Sequence, residues 1–282
     1  MRQPRRAIQR AGRLVFAAVC LFWMGAQAGA AELKSATVAA FERYQRAAES
    51  AIESDVSTSD RFLRILRGDA SRRRDIERQF RQGQVAVERL RVTDAGKRID
   101  VPDGLIHHWV GTVFIPGVHL DAAVSLMQDY DRQAQIFRPN IAQSKLIERD
   151  GDRFQLFLRF YMKKVIAVTV DNESTAEFTR RGPDRVTSAI RSTRVAEVEN
   201  ADTPLEREKP VGHGGGYLWR MNTYWRFLER DGGTYIECEA VTLSRRIPTG
   251  LGWLIGPFVT SIPRDMLTAA LTSTRRTLIA SQ

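Results

Sequence analysis

The sequence predicts an α+β protein: a curved antiparallel sheet closed by one long C-terminal helix and preceded by a helical extension. Three observations carry this. Residues 217–229 and 234–244 are long runs rich in aromatic and β-branched side chains, joined by Asp231-Gly232-Gly233. Glycine there supplies the positive φ of a tight hairpin. Ile262, Met266, Ala270, Thr274 and Leu278 recur every four residues, with Leu267 and Leu271 beside them, which is a helical stripe. Earlier in the chain, runs that alternate apolar and polar side chains are punctuated by Asp150-Gly151-Asp152 and Gly182-Pro183-Asp184.

In chain order, residues 1–30 read as a signal peptide. Arg2, Arg5, Arg6, Arg10 and Arg13 precede an apolar run over 14–26 and small residues that offer cleavage after Ala28 or Ala30. The expected location is therefore outside the cytoplasm, periplasmic or secreted. The chain has 43 basic and 33 acidic residues, and beyond residue 30 the balance is 38 to 33. That is a mild bias. It permits transient contact with an anionic membrane surface and gives no footprint for nucleic acid. Cys20 would leave with the signal, so Cys238 has no intramolecular partner, and its place on an apolar strand face predicts a buried structural thiol.

Residues 31–100 read as a helical extension. Val38, Phe41, Tyr44, Ala47 and Ile52 mark one amphipathic helix, and 60–66 and 71–82 mark two shorter ones. Residues 85–92 fit strand or helix. Asp103-Gly104 opens the main domain, residues 101–282: a strand over 108–115, a helix over 120–131, and strands over 145–149, 153–162, 165–170, 176–180 and 186–198. A polar loop over 201–216 then leads to the hairpin. Strand alternation puts Trp219, Met221, Thr223, Trp225 and Phe227 on one face, with Ile236, Cys238, Ala240 and Thr242 opposite them. Arg220, Asn222, Tyr224 and Arg226 then face Tyr235, Glu237, Glu239 and Val241 on the other side, the pattern of a sheet covered on one side only. Residues 248–259 read as an apolar linker studded with glycine, and Pro263 as the first turn of the closing helix.

Strand, helix, antiparallel meander and terminal helix, in that order, resemble the START-like (SRPBCC) superfamily and its helix-grip fold, nearest its cyclase/dehydrase-like and coenzyme Q-binding branches. The residues that carry the resemblance are Trp109-x-Gly111 with Phe114-Ile115-Pro116, Asp129-Tyr130-Asp131, Tyr224-Trp225-Arg226-Phe227 before Asp231-Gly232-Gly233, and Gly252-Trp253-Leu254. The resemblance implies a cavity between sheet and terminal helix that takes a lipid, quinone, sterol or polyketide. Leu156, Leu158, Phe160, Trp219, Met221, Trp225, Phe227 and Ile236 would form its wall. Met266, Leu267 and Leu271 would form the helix side, and Trp253, Leu254 and Phe258 a gate. Arg159, Arg194 and Tyr224 become polar anchors if their faces turn inward; alternation instead sends them outward, to pair with Glu237, Glu239 or Glu197.

No motif names a reaction. There is no Gly-x-Ser-x-Gly elbow, no helical His-Glu-x-x-His and no phosphate-binding glycine pattern, so no catalytic residue, metal ligand or cofactor is assigned. His107 and His108 are neighbours on a strand and must point to opposite faces. Three readings follow. An exported binder of a lipid or quinone-like molecule needs an apolar cavity with one or two polar anchors. A cyclase or dehydratase-like enzyme needs several polar, titration-shifted groups converging inside it. A cell-envelope interaction module needs a collapsed cavity and an exposed apolar stripe on the first helix.

Overall fold

The computed structural model describes residues 31–163, 166–247 and 252–282, and of residues 252–260 the backbone alone. The extension opens with strand β1 (Ala31–Glu32) and helix α1 (Ser35–Val56), which buries Phe41 and Tyr44 of the expected stripe, together with Ala48 and Val56. The short helix read over 60–66 resolves into two 3-10 turns, Ser59–Arg61 and Arg64–Leu66. Helix α2 (Ala70–Arg81) begins at Asp69, whose carboxylate accepts the Arg72 N–H at 2.9 Å, a cap for one of the open donors of the first turn. The ambiguous stretch after it is strand β2 (Ala86–Arg89), followed by the two-residue pair β3 (Thr93–Asp94) and β4 (Lys97–Arg98).

The main sheet then continues with β5 (Gly104–Pro116), helices α3 (Leu120–Gln128) and α4 (Gln133–Ile136), and the meander β6 (Ile141–Asp150), β7 (Arg153–Lys163), β8 (Ala167–Gly182) and β9 (Arg185–Glu199). The two runs expected over 165–180 are thus one long strand. The polar loop holds β10 (Arg207–Glu208) and β11 (His213–Gly214). The hairpin β12 (Arg220–Arg230) and β13 (Gly233–Arg245) and helix α5 (Gly252–Ala280) complete the chain. Neighbouring strands run β2-β5-β13-β12-β9-β8-β7-β6, with β10 also on β9, in one nine-stranded sheet whose pairs are all antiparallel. A long antiparallel sheet gripping a C-terminal helix is the helix-grip, START-like architecture.

The closing helix differs from its expectation in one respect. It starts at Gly252, so Pro263 lies inside it instead of in its first turn. A proline there has no N–H for the carbonyl four residues back, so the helix runs on without that bond. Its seat on the sheet is set by Gly111 of β5. A Cβ at that position would stand 2.8 Å from Leu271 Cδ1 and 3.1 Å from Leu267 Cγ, so only glycine lets α5 approach this closely. At its far end Gln282 Nε2 donates to the Pro116 carbonyl at 2.9 Å, so α5 runs in the same direction as β5.

The reading of a sheet covered on one side is corrected. The face away from α5 is covered by the extension. Phe41, Tyr44 and Ala48 of α1 pack with Tyr224, Val241 and Leu243, and Phe62, Ile65, Ile76 and Phe80 pack with Val110, Leu228 and Tyr235. The charges on that face are therefore buried: Arg226 is 1% exposed, and Glu237 and Glu239 are 0% exposed. They survive burial because each is bonded. Arg226 donates to both carboxylates, and Glu237 also accepts the Thr112 hydroxyl and the backbone N–H groups of Arg64 and Ile65 from the extension. Glu239 accepts from His108 Nε2 at 2.8 Å, and the other ring nitrogen of His108 meets the Tyr44 hydroxyl at 2.9 Å. Burial alone would raise the Glu239 carboxyl, but the His108 bond and the Arg226 charge outweigh it and hold it down at about 2.

Candidate ligand-binding site

The register of the sheet sorts the face toward α5 into rungs. Residues that pair directly share a face. His107, Thr242 and Met221 form one rung, which Ser192 continues, its hydroxyl accepting the Met221 N–H, and then Ser174 and Leu156. The next rung holds Trp109, Ala240, Thr223, Ile190, Ala176 and Phe154. After it come Gly111, Cys238, Trp225, Ser188 and Phe178, and then Val113, Ile236, Phe227 and Val186. Leu267, Leu271 and Leu278 of α5 belong to the same apolar cluster, and Tyr130 enters it from the segment that follows α3.

Most of the expected wall therefore converges. Leu156, Leu158, Phe160, Trp225, Phe227, Ile236, Leu267 and Leu271 lie in that one cluster, with Met221 and Met266 packed against it. Trp219 does not join them. The strand begins only at Arg220, and Trp219 sits with Phe41, Tyr224 and Leu243 under the extension, so alternation cannot be carried past the strand end. The side chains of Trp253, Leu254 and Phe258, the expected gate, lie outside the described residues.

The three anchors are all on the other face, with partners that differ from those expected. Arg159 holds Asp171, its cross-strand neighbour, through Nε and Nη2 at 2.7 and 2.8 Å, and Glu206 of the polar loop at 2.9 Å. The Asp171 bond raises its guanidinium further still above the ordinary value. Arg194 pairs with Glu208 and Glu173. The Tyr224 hydroxyl donates to Glu49 of α1 at 2.8 Å. Glu197 instead accepts the backbone N–H groups of Gly215 and Tyr217.

Electrically, the buried centre of the four rungs carries no acid, lysine or arginine among the described residues; the register adds exposed arginines at the rung ends, Arg89 beside Trp109, Arg149 beside Phe154 and Arg180 beside Val186. The titratable groups at that centre are held neutral by burial. It pulls the His107 ring down to about 4, with the Arg89 charge adding to the effect, and it pushes up the Cys238 thiol and the Tyr130 phenol. Cys238 is thus the buried structural thiol that the sequence predicts.

Sequence reasoning missed a set of polar atoms on this face that are buried without a hydrogen-bond partner: His107 Nδ1, Trp109 Nε1, Asn172 Oδ1 and Ser188 Oγ, with the Tyr130 hydroxyl above them. The signal for His107 was present, since neighbouring histidines on a strand must diverge. Its partner His108 is fully bonded on the opposite face. Two grooves of about 320 and 260 Å³ also lie on that opposite face, the second between α1 and β8, β9 and β12. Glu49, Glu53, Arg181 and Arg191 in the second groove are already paired with one another.

No family model matches the sequence, and no curated protein matches it. Among solved structures the chain is similar to START-like proteins. A STAR-related lipid transfer protein from Xanthomonas axonopodis shares 16% identity over 64% of this chain and 96% of that one, with a TM-score of 0.44. The Zhui aromatase/cyclase from a Streptomyces species shares 15% over 62% and 94%, at 0.42. Human STARD10 shares 11% over 76% and 83%, at 0.43. At these identities and scores the fold reading stands on the strand order and the seat of α5.

Proposed function

We propose that the protein binds a hydrophobic small molecule, a lipid or quinone-like compound, between the inner face of the sheet and α5, and carries it without transforming it. The observation that supports this reading is the separation of charge. The buried centre of the face toward α5 carries no charge among the described residues, and Arg159, Asp171, Arg226, Glu237 and Glu239 are engaged on the opposite face. A cyclase-like reading asks for several polar groups with titrations moved toward reactivity; here His107, Cys238 and Tyr130 are all moved toward the inert, neutral form. An interaction module asks for an exposed apolar stripe on α1, and that stripe is spent on the sheet of the same chain. Export belongs to the proposal through the arginine-rich start and the apolar run over 14–26, and would make the protein a carrier of the cell envelope.

The test is displacement of a lipophilic fluorophore by lipid extracts. Wild-type protein should bind the probe and release it to an extract. Cys238→Trp, which puts a large ring at the centre of the inner face, should abolish binding while α1 and its contacts keep the near-ultraviolet circular dichroism of Tyr44 and Trp219. Undiminished binding by Cys238→Trp would place the probe elsewhere and sink the proposal.

A further inference from the structure

One rung crosses the whole inner face, from Arg89 on the edge strand β2 to Arg149 on the edge strand β6. Trp109 stands beside Arg89, and Phe154 beside Arg149. Between the two aromatics the paired side chains are short: Ala240, Thr223, Ile190 and Ala176. Those four span three strand spacings, about 14 Å at roughly 4.8 Å each. The arginines on this face are not alike. Arg149 lies over the Phe154 ring at 4.9 Å and donates to the Gly151 carbonyl. Arg180, two rungs along, is held by Asp121. Arg89 has neither hydrogen bond nor ion pair among the described residues, and the stretches outside them contain no Asp or Glu.

Two further open groups stand next to Arg89. Trp109, its direct cross-strand neighbour, buries an indole Nε1 with no partner among the described residues. His107, two residues before Trp109 on the same face, is 3% exposed, and its Nδ1 is also open. Its Nε2 meets the Ser244 hydroxyl at 3.1 Å. When that hydroxyl donates, the ring proton sits on Nδ1. Directly paired side chains start about 5 Å apart, and alternate residues of one strand about 7 Å apart. One small head can therefore touch all three groups. The Arg89 charge already reaches the His107 ring, which it helps to hold neutral. A guanidinium and two ring N–H groups are all donors, and neither rung supplies an acid among the described residues. Asp265, the first carboxylate of α5, is bound by Arg264.

We infer that the ligand is an acidic amphiphile whose head, a carboxylate in its simplest form, is held at the β2–β5 edge by Arg89, Trp109 Nε1 and His107 Nδ1, with its chain laid along the rung of short side chains. This rests on the ligand-binding reading above and names the head that it leaves open. An exposed arginine alone holds a carboxylate weakly. Here the two ring N–H groups are already out of water without partners, so an acceptor that fills them removes a standing cost. A carboxylate also offers the guanidinium two oxygens and a charge. A hydroxyl offers no charge, and a trimethylammonium offers no acceptor and is repelled by Arg89.

The test titrates dodecanoate, dodecanol and dodecyltrimethylammonium calorimetrically, each below its micelle concentration at pH 7.5. Wild-type protein should bind dodecanoate at least about tenfold more tightly than dodecanol, the gain from a charged hydrogen-bond partner. The ammonium should bind more weakly than both. Arg89→Gln should remove the preference for dodecanoate and leave dodecanol unchanged. Arg149→Gln, at the other end of the rung, should leave all three unchanged. Both arginines are exposed, so neither comparison depends on a core substitution. Trp109→Phe should weaken dodecanoate roughly three- to tenfold, the loss of one hydrogen bond. Dodecanol binding as tightly as dodecanoate, or a preference that survives Arg89→Gln, overturns the inference while the carrier reading stands. Binding of none of the three overturns the carrier reading and this inference with it.

Discussion

Arg226 Nη2 donates to Glu239 Oε2 at 2.8 Å across the hairpin, in a layer where both side chains are 1% exposed. The pair sits under the extension, with Glu237 as a second carboxylate on the same guanidinium. One arginine and two glutamates are thereby held out of water, with His108 and backbone donors supplying the remaining bonds.

Arg226→Met keeps much of the volume and removes the shared cation. Two buried carboxylates then face each other, and the protein should lose about 3–5 kcal/mol, as when one partner of a buried pair is deleted. Urea denaturation reads the loss. Adding Glu239→Gln to Arg226→Met should recover part of it, and no recovery would mean that Arg226 acts through packing alone.

Acid should weaken the fold through His107. Its folded value of about 4 lies below the ordinary 6.5, so between those values the unfolded chain takes up a proton that the folded chain refuses. Stability is full above pH 6.5 and falls as the pH drops toward 4, by about 3 kcal/mol over that window. In His107→Gln this part of the pH profile should flatten. An unchanged slope from pH 6.5 to 4 would mean that the ring is not held neutral.

Gly111→Ala and Leu271→Ala should not add. The alanine methyl at 111 would press on Leu271 Cδ1 at 2.8 Å, an overpacking worth about 1–3 kcal/mol. Leu271→Ala leaves a cavity worth about 2–5 kcal/mol. Together the new methyl partly fills the new space, so the double variant should be more stable than the sum of the two. Strict additivity would place α5 away from Gly111 in solution.

Arg159→Met separates anchor from brace. With Asp171 and Glu206 as its partners, Arg159 holds the 201–216 loop to the sheet. The variant should bind lipophilic probe as wild type does, while proteolysis in that loop quickens. A large loss of binding with an intact loop would return Arg159 to the cavity.

The hairpin was legible because both strands alternate without interruption. The pairing of Arg226 with Glu237 and of Phe227 with Ile236 follows from that alternation and from Asp231-Gly232-Gly233 alone. The docking of the extension was not legible. In sequence, a charge facing water looks the same as a carboxylate awaiting the N–H groups of Arg64 and Ile65, some 170 positions away. Trp219 was misplaced because the strand was read from Tyr217, whereas it begins at Arg220. The helix start was misplaced because proline, at home in a first turn, was taken to mark one. The rung of His107, Thr242, Met221, Ser192, Ser174 and Leu156 needed register between six strands, which no single strand reveals.

The central claim is a bound hydrophobic molecule between sheet and α5. Native mass spectrometry of the protein purified from its own cells, followed by organic extraction, tests it most directly. The account predicts a stoichiometric adduct that extracts as a hydrophobic small molecule and is missing from Cys238→Trp. A clean apo mass, together with no uptake from a lipid extract, would contradict it.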